Sequence, residues 1–278
     1  MRGTARTAAG MWPPGADAVT SAAARHAVEA FIARDDAGPR SAAVPFAWST
    51  AAAIEPWVDG ERFFPRVFAD IEAARSSVHV LMFGWREGEV GMRMASLLED
   101  KLAAGLEVRI IVDGLGSRPY AQAREMFGSL AAAGAQIVVN DVLPPVRHGL
   151  YPDAELDWRP GHLGRADHRK LYVIDGQVAW TGGAGIEDHF ADGRFHDVMV
   201  RVTGDVVRQA QAAFLTSFHG HGGPPASGLA PLFPEPVERG TTPVALAQVI
   251  PGGFVAATLA LREQIGRASC RERVSRCV

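Results

Sequence analysis

Cysteine, lysine and long apolar runs are nearly missing from this sequence of 278 residues. The two cysteines are Cys270 and Cys277. Both fall in a terminal stretch beginning Gln264-Ile265-Gly266-Arg267-Ala268-Ser269-Cys270-Arg271-Glu272-Arg273-Val274, which reads as a sequencing adapter translated in frame. The authentic sequence is therefore expected to stop near Glu263, and residues 264–278 are set aside from fold reasoning. What precedes them has no cysteine, so disulfides and thiolate metal sites are excluded there. Lysine occurs twice, as Lys101 and Lys170, against 26 arginines. No uninterrupted apolar run approaches the roughly 18–20 residues of a membrane-spanning helix. The basic start, Met1-Arg2-Gly3-Thr4-Ala5-Arg6, leads into Trp12-Pro13-Pro14-Gly15 rather than the apolar core of a secretory signal. A cytoplasmic location, or one peripheral to a membrane, is the expectation. An excess of positive charge is absent too. The net charge is −3, and without the tail 24 basic residues face 30 acidic ones, a balance of −6. No basic field advertises nucleic-acid binding.

What remains is ordinary for a globular protein: 47% hydrophobic and 21% charged residues, in a chain long enough to bury a sizeable core. Residues 1–50 read as an Ala-rich extension with one short amphipathic helix from about Ala18 to Ala33. From Trp57 onward helices and strands alternate. Phe64, Val67, Phe68 and Ile71 share a helical face, and Val78–Phe83 reads as a buried strand. Met94, Leu97, Leu98 and Leu102 mark a second helix closed by Gly105. Val108–Val112 is a strand, Tyr120–Ala133 a helix, and Gln136–Val139 a strand. This alternation predicts an α/β layer with parallel strands. Residues 141–166 form a long polar loop. Lys170–Ile174 and Gln177–Thr181 follow as two strands joined by Asp175-Gly176, a two-residue hairpin signal. His196–Val202 is a further strand, and Val206, Val207, Ala210, Phe214 and Phe218 belong to a helix. A Gly/Pro-rich stretch, 219–243, reads as a linker. Residues 244–263 echo the segment from Val58 onward, as if a second lobe were beginning.

One segment carries chemistry: His168-Arg169-Lys170-Leu171-Tyr172-Val173-Ile174-Asp175, followed by Gly182-Gly183. Chance alone gives a His-x-Lys followed by Asp at this spacing about 0.004 times in a chain of this composition. A rare lysine where arginine serves almost everywhere else points to a compact ammonium rather than a fork. Residues i and i+2 of a strand share a face, so His168 and Lys170 converge on one ligand. An imidazole nitrogen can attack phosphorus while the ammonium stabilises charge on the phosphoryl oxygens. Gly182 and Gly183 would let a phosphate approach the backbone closely. Asp175 belongs to the motif but sits at the hairpin tip, which favours a shaping role over contact with phosphorus.

These residues resemble the H-x-K-x4-D signature of the phospholipase D superfamily. Asp59-Gly60-Glu61-Arg62-Phe63-Phe64-Pro65, Asp113-Gly114-Leu115-Gly116-Ser117 and Phe195-His196-Asp197 are similar to text of its bacterial cardiolipin-synthase and phosphatidyltransferase branch. The resemblance covers roughly residues 57–263. It implies a lobe with a central mixed β-sheet flanked by helices, with the second lobe mostly missing here and the active site between two such lobes. It implies His168, Lys170 and Asp175 as the catalytic motif, with His168 forming a phosphohistidine. Asp197 would orient the histidine, and Gly182 and Gly183 would border the phosphate. The implied substrate is a phospholipid, the acceptor an alcohol or water, and contact with a membrane peripheral. No cofactor and no metal are implied. A second lobe in cis, or a second copy of the chain, would supply the other half-site.

The chain departs from the family pattern in three places. Position 185 is Gly where Asn is common, the strand near Leu81 lacks a common glutamate, and only one H-x-K motif is present. Two other readings stay open: a single-motif nuclease active as a homodimer, and a non-catalytic half-domain. The acidic balance disfavours the first. His219-x-His221 reads as solvated histidines rather than a metal site, and Gly114-x-Gly116 lacks the third glycine of a dinucleotide loop. Trp85, Trp158 and Trp180 read as core packing. The expected organisation is an extension (1–50), a first lobe (51–218), a linker (219–243), the start of a second lobe (244–263) and the adapter-like tail (264–278).

Overall fold

The computed structural model describes residues 48–119, 123–140, 166–226 and 228–246. The amphipathic helix expected at 18–33, most of the 141–166 loop, Trp158, the onset of a second lobe beyond 246 and the tail lie outside them. The described chain runs β1 (Trp48–Val58), α1 (Gly60–Glu72), β2 (Ser77–Met82), α2 (Glu89–Ala103), β3 (Glu107–Asp113), α3 (Arg124–Ala132), β4 (Gln136–Asn140), β5 (Lys170–Ile174), β6 (Val178–Gly182), α4 (Asp188–Ala191), β7 (Val198–Thr203), α5 (Val206–Gly220) and β8 (Thr242–Ala245). The eight strands form one sheet in the order β4-β3-β2-β5-β6-β7-β1-β8.

The expectation of parallel strands holds for one flank. β2, β3 and β4 pair in parallel, because the helices that follow β2 and β3 are long enough to carry the chain back over the sheet. β5 lies antiparallel beside β2, and β5–β6, β6–β7 and β7–β1 are antiparallel as well. The sheet is therefore mixed. β1 has no expectation behind it. Its Ala-rich run carries little β signal and is held by pairing with β7 on one side and β8 on the other.

Alternate residues of the central strands fill two cores. Val78, Val80 and Met82 of β2 and Val108, Ile110 and Val112 of β3 pack against Phe63, Phe64, Val67 and Ile71 of α1, together with Met94 and Leu98 of α2 and Phe127 of α3. Trp85 and Trp180 are fully buried in the same core. On the other face Leu81, Ile111, Leu171 and Val173 meet Val207, Ala210, Phe214 and Phe218 of α5. His79 also points to that face and is fully buried. Gln211 lies 2.9 Å from its Nδ1 and Glu107 3.0 Å from its Nε2.

Two connections are made at long range. The amino end of α2 has Gly88 at its cap, which offers no side chain. Asp188 of α4 accepts instead from the backbone N–H of Glu89 (3.1 Å) and Val90 (2.9 Å), so the cap comes from 99 and 98 residues away. The stretch 219–243 is not a free linker. His219 and Gly220 finish α5, and Leu229, Leu232 and Phe233 bury themselves with Ala212. Gln177 donates to the Glu235 carbonyl and accepts from Val237 N–H, both at 2.8 Å. Residues 242–245 then join the sheet as its edge strand beside β1. Glycine and proline gave this segment a linker's composition, but its few large apolar residues are enough to fold it back. Val244 and Leu246 pack beside Val202 and Val206.

The β5–β6 hairpin turns as expected. Asp175 and Gly176 both have positive φ (52° and 61°), and Gln177 N–H donates to the Ile174 carbonyl, as a type I′ turn requires. The Asp175 carboxylate also accepts from the backbone N–H of Arg75, Ser76 and Ser77, at 2.8, 2.8 and 2.9 Å, and from the Ser76 hydroxyl at 2.8 Å. It thereby ties the hairpin tip to the α1–β2 connection. Burial alone raises its pKa, but the Ser77, Arg75 and Ser76 amides outweigh burial and hold it below the ordinary carboxylate value. An Asp175→Ala variant is expected to lose about 1–3 kcal/mol in urea denaturation near neutral pH, because three backbone amides, that of Ser77 part-buried, lose a charged acceptor. The wild-type advantage is present above the ordinary carboxylate pKa and disappears as pH falls through the lowered folded value. The two denaturation midpoints should converge in acid.

Candidate active site

The parallel strands β2, β3 and β4 all end on one edge of the sheet, where open α/β sheets place their crevices. β5 begins on that edge, β6 ends there and β7 begins there. Lys170, the first residue of β5, pairs with Met82 at the end of β2. It is 4% exposed. Its Nζ lies 2.7 Å from the His168 carbonyl oxygen, 3.0 Å from His168 Nδ1 and 3.2 Å from Nε2. The ammonium thus lies against the imidazole, close to both ring nitrogens. The Phe83 ring backs both groups, 4.4 Å from the imidazole centre and 5.0 Å from the ammonium.

Protonation follows from this packing. Burial first, and the Lys170 charge second, lower the His168 pKa, while Asp113 and Asp167 act in the opposite direction. A neutral imidazole keeps the lone pair that an attack on phosphorus needs. Burial also lowers the Lys170 pKa to about 8, against the pull of Asp197, Asp167, Glu187 and Asp113.

The other expected site residues fall in different places. Asp175 sits at the far end of β5, about 16 Å along the strand from Lys170 at ~3.3 Å per residue. Its carboxylate is engaged with the α1–β2 connection, so it cannot touch a phosphate held at Lys170. Asp197 does not bond His168. Its Oδ1 accepts from Val198 N–H at 2.7 Å, and it leads the charges that favour protonated Lys170. Gly182 and Gly183 have a reason other than phosphate. A Cβ on Gly183 would collide with the Asp197 carboxylate, and one on Gly182 with the Val198 carbonyl. Gly183 N–H is already donated to the Val198 carbonyl at 3.2 Å.

The sequence motifs flanking the site meet each other. Asp59 N–H donates to the Asp197 carbonyl at 2.9 Å, and its carboxylate lies 2.9 Å from His196 Nδ1. Glu187 had no expectation attached. Its carboxylate occupies the room left by Gly84 and Gly185, close enough that a Cβ at either would crowd it, and pairs with Arg86 at 3.2 Å. His221 is partly buried rather than fully solvated, beside Asp167 and Arg169, and burial lowers its pKa. Among the described residues no cluster of three or more His, Cys, Asp or Glu side chains is arranged to hold a metal ion.

Residues 67–217 match the family described as "Cardiolipin synthase, PLD-like domain". The chain belongs to this phospholipase D-like family. Cardiolipin synthase of Listeria monocytogenes is 31% identical over 171 residues, covering 60% of this chain and 33% of that protein. Cardiolipin synthase 1 of Staphylococcus aureus is 26% identical over 170 residues, covering 60% of this chain and 32% of that protein. The chain spans about a third of the length of these curated relatives. Among solved structures, the phospholipase D family member Nuc from Salmonella typhimurium superposes with a TM-score of 0.45 at 15% identity, covering 63% of this chain and 98% of that one. Phosphatidylserine synthase of Haemophilus influenzae gives 0.44 at 14% identity, over 61% of this chain and 38% of that one.

Within this phospholipase D-like lobe the Lys170 ammonium lies beside the His168 imidazole, and an oxyanion bound there is expected to meet its charge. Tungstate binding, measured by calorimetry, is expected to weaken as pH rises through about 8, where Lys170 loses its proton. Lys170→Arg should extend binding to higher pH, since a guanidinium stays charged. Lys170→Met should weaken it about ten- to a hundredfold, from the ~1.5–3 kcal/mol of a charged hydrogen bond.

Proposed function

We propose that this chain carries the first half-site of a phosphatidyltransferase or phosphodiesterase that acts on phospholipids. The observation behind the reading is the contact between the Lys170 ammonium and the neutral His168 imidazole at the carboxyl edge of the parallel strands. The names of the relatives, cardiolipin synthases, supply the substrate class.

In this reading an unprotonated nitrogen of His168 attacks the phosphorus of the phosphodiester. The bond from phosphorus to the leaving alcohol breaks, and a phosphatidyl-histidine forms. Lys170 donates to a non-bridging oxygen and balances the charge that builds there. The leaving alkoxide takes its proton from a second histidine, supplied by a further lobe or a second copy of the chain. A second alcohol, or water, then gives up a proton to that histidine and displaces His168 from phosphorus. Asp197 acts on Lys170 by keeping it charged, and Asp175 acts on the scaffold. No step uses a metal or a cofactor.

The test is to trap the intermediate. Vesicles of phosphatidylglycerol labelled in the phosphatidyl group are mixed with the protein, and turnover is stopped in alkaline detergent, which preserves phosphohistidine. Label is expected on the wild-type chain and absent from His168→Ala. Equal labelling of the two would remove His168 as nucleophile. A quadratic dependence of labelling on protein concentration is expected if two copies build the site, and labelled DNA serves as the control substrate.

A further inference from the structure

Asp113 ends β3 and is 1% exposed. Its Oδ1 accepts from the backbone N–H of Leu115 and Gly116, at 2.9 and 3.0 Å. Its Oδ2 accepts from Asn140 Nδ2 of β4 and from the backbone N–H of Asp167, both at 2.7 Å. Each of these four partners is a donor. A protonated carboxyl would need an acceptor, so the arrangement suits an ionised carboxylate. Burial pushes its pKa up against those donors.

Two walls of the half-site converge on this turn. Asp167 directly precedes His168, and its carboxylate pairs with Arg169, which also donates to Ser217 of α5 at 2.8 Å. Ser117 N–H closes the turn on the Asp113 carbonyl at 2.9 Å. The Ser117 hydroxyl donates to the Phe83 carbonyl at 2.8 Å and accepts from Trp85 N–H at 3.1 Å. The same five residues, 113–117, therefore hold the backbone before the imidazole and the aromatic ring behind it.

We infer that Asp113 is the positioning residue of the half-site: its buried carboxylate holds the backbone ahead of His168 and keeps a negative charge facing the imidazole. This deepens the reading of His168 as the reacting group and rests on it. The charges that face the imidazole are Lys170 from β5, Asp113 from β3 and the neighbouring Asp167. Asp197 and Glu187 face Lys170, while His221 at the end of α5 faces Asp167, Arg169 and Asp113.

The experiment is an NMR titration of the His168 ring in the 278-residue chain, with the resonance assigned by its loss in His168→Gln. Asp113→Asn removes the charge and is expected to move the His168 midpoint to lower pH. A merely structural role has the opposite sign, because a loosened backbone lets water reach the ring and the midpoint climbs towards its ordinary value. A midpoint that rises or stays put overturns the proposal. Asn140→Ala removes one donor but leaves the charge, so it should keep the wild-type midpoint; a fall as large as that in Asp113→Asn would also overturn it. If Asp113→Asn does not fold, the wild type decides the matter. His168 should show a second, smaller inflection where Asp113 takes up its proton, displaced to higher pH in Asn140→Ala, and a single unmoved curve counts against the role. Failure of the transfer reaction is read separately. A lowered midpoint in a chain that traps no phosphatidyl group supports this role while removing the reaction, and an unshifted midpoint in an active chain does the reverse.

Discussion

An ammonium taken out of water must be compensated, and much of the site's edge is arranged around that need. Lys170 is almost fully buried at the start of β5. Its compensation comes from carboxylates on four different segments: Asp113 at the end of β3, Asp167 before β5, Glu187 before α4 and Asp197 before β7. None of these is close to Lys170 along the chain except Asp167. They meet because the strands that carry them begin or end on the same edge of the sheet. The carboxylates do not offset burial completely, and the Lys170 pKa falls to about 8.

The same need accounts for the glycines. Gly183 leaves room for Asp197, and Gly84 and Gly185 leave room for Glu187. A glycine pair beside a phosphate-handling motif invites the reading that the backbone approaches the ligand. Here the space is filled by the protein itself, by the Asp197 carboxylate at Gly183 and by the Val198 carbonyl at Gly182, and the Gly183 N–H is spent on the sheet. The departure at position 185 fits this account. A side chain there would put its Cβ 2.7 Å from the Gly84 carbonyl oxygen and 3.1 Å from the Glu187 carboxylate, so the backbone as well as Glu187 would have to give way.

The two ends of β5 divide the labour. At the far end Asp175 collects three backbone amides and a hydroxyl, and fixes the hairpin to the α1–β2 connection. At the near end Asp113 collects four donors and fixes the segment that carries His168. Both are carboxylates that organise backbone rather than touch ligand. One belongs to the recognised motif and the other does not, although their chemistry is alike. Membership in a motif therefore reports that a residue matters, while its contacts report how.

Much of this was legible in the residues taken one segment at a time. The faces of α1 and α2 and the buried strands β2, β3 and β5 depend on periods of two or 3.6 residues, and the Asp175-Gly176 turn on two adjacent residues. Short-range geometry determines them, so the chain displays them locally. His168, by contrast, lies just before β5 rather than on it, and meets Lys170 from a loop. Contacts between distant segments leave no such period. The Asp188 cap on α2, the Asp113–Asn140–Asp167 cluster and the carboxylates around Lys170 join residues tens of positions apart. The same holds for β1, whose middle is an alanine run and whose strand is held by β7 and β8, and for residues 219–243, whose composition reads as a linker until Leu232 and Phe233 find a place to bury. The sequence by itself determined which side chains could do phosphoryl chemistry. Only the tertiary structure decided which of them face one another, because that depends on the order in which eight strands share one sheet.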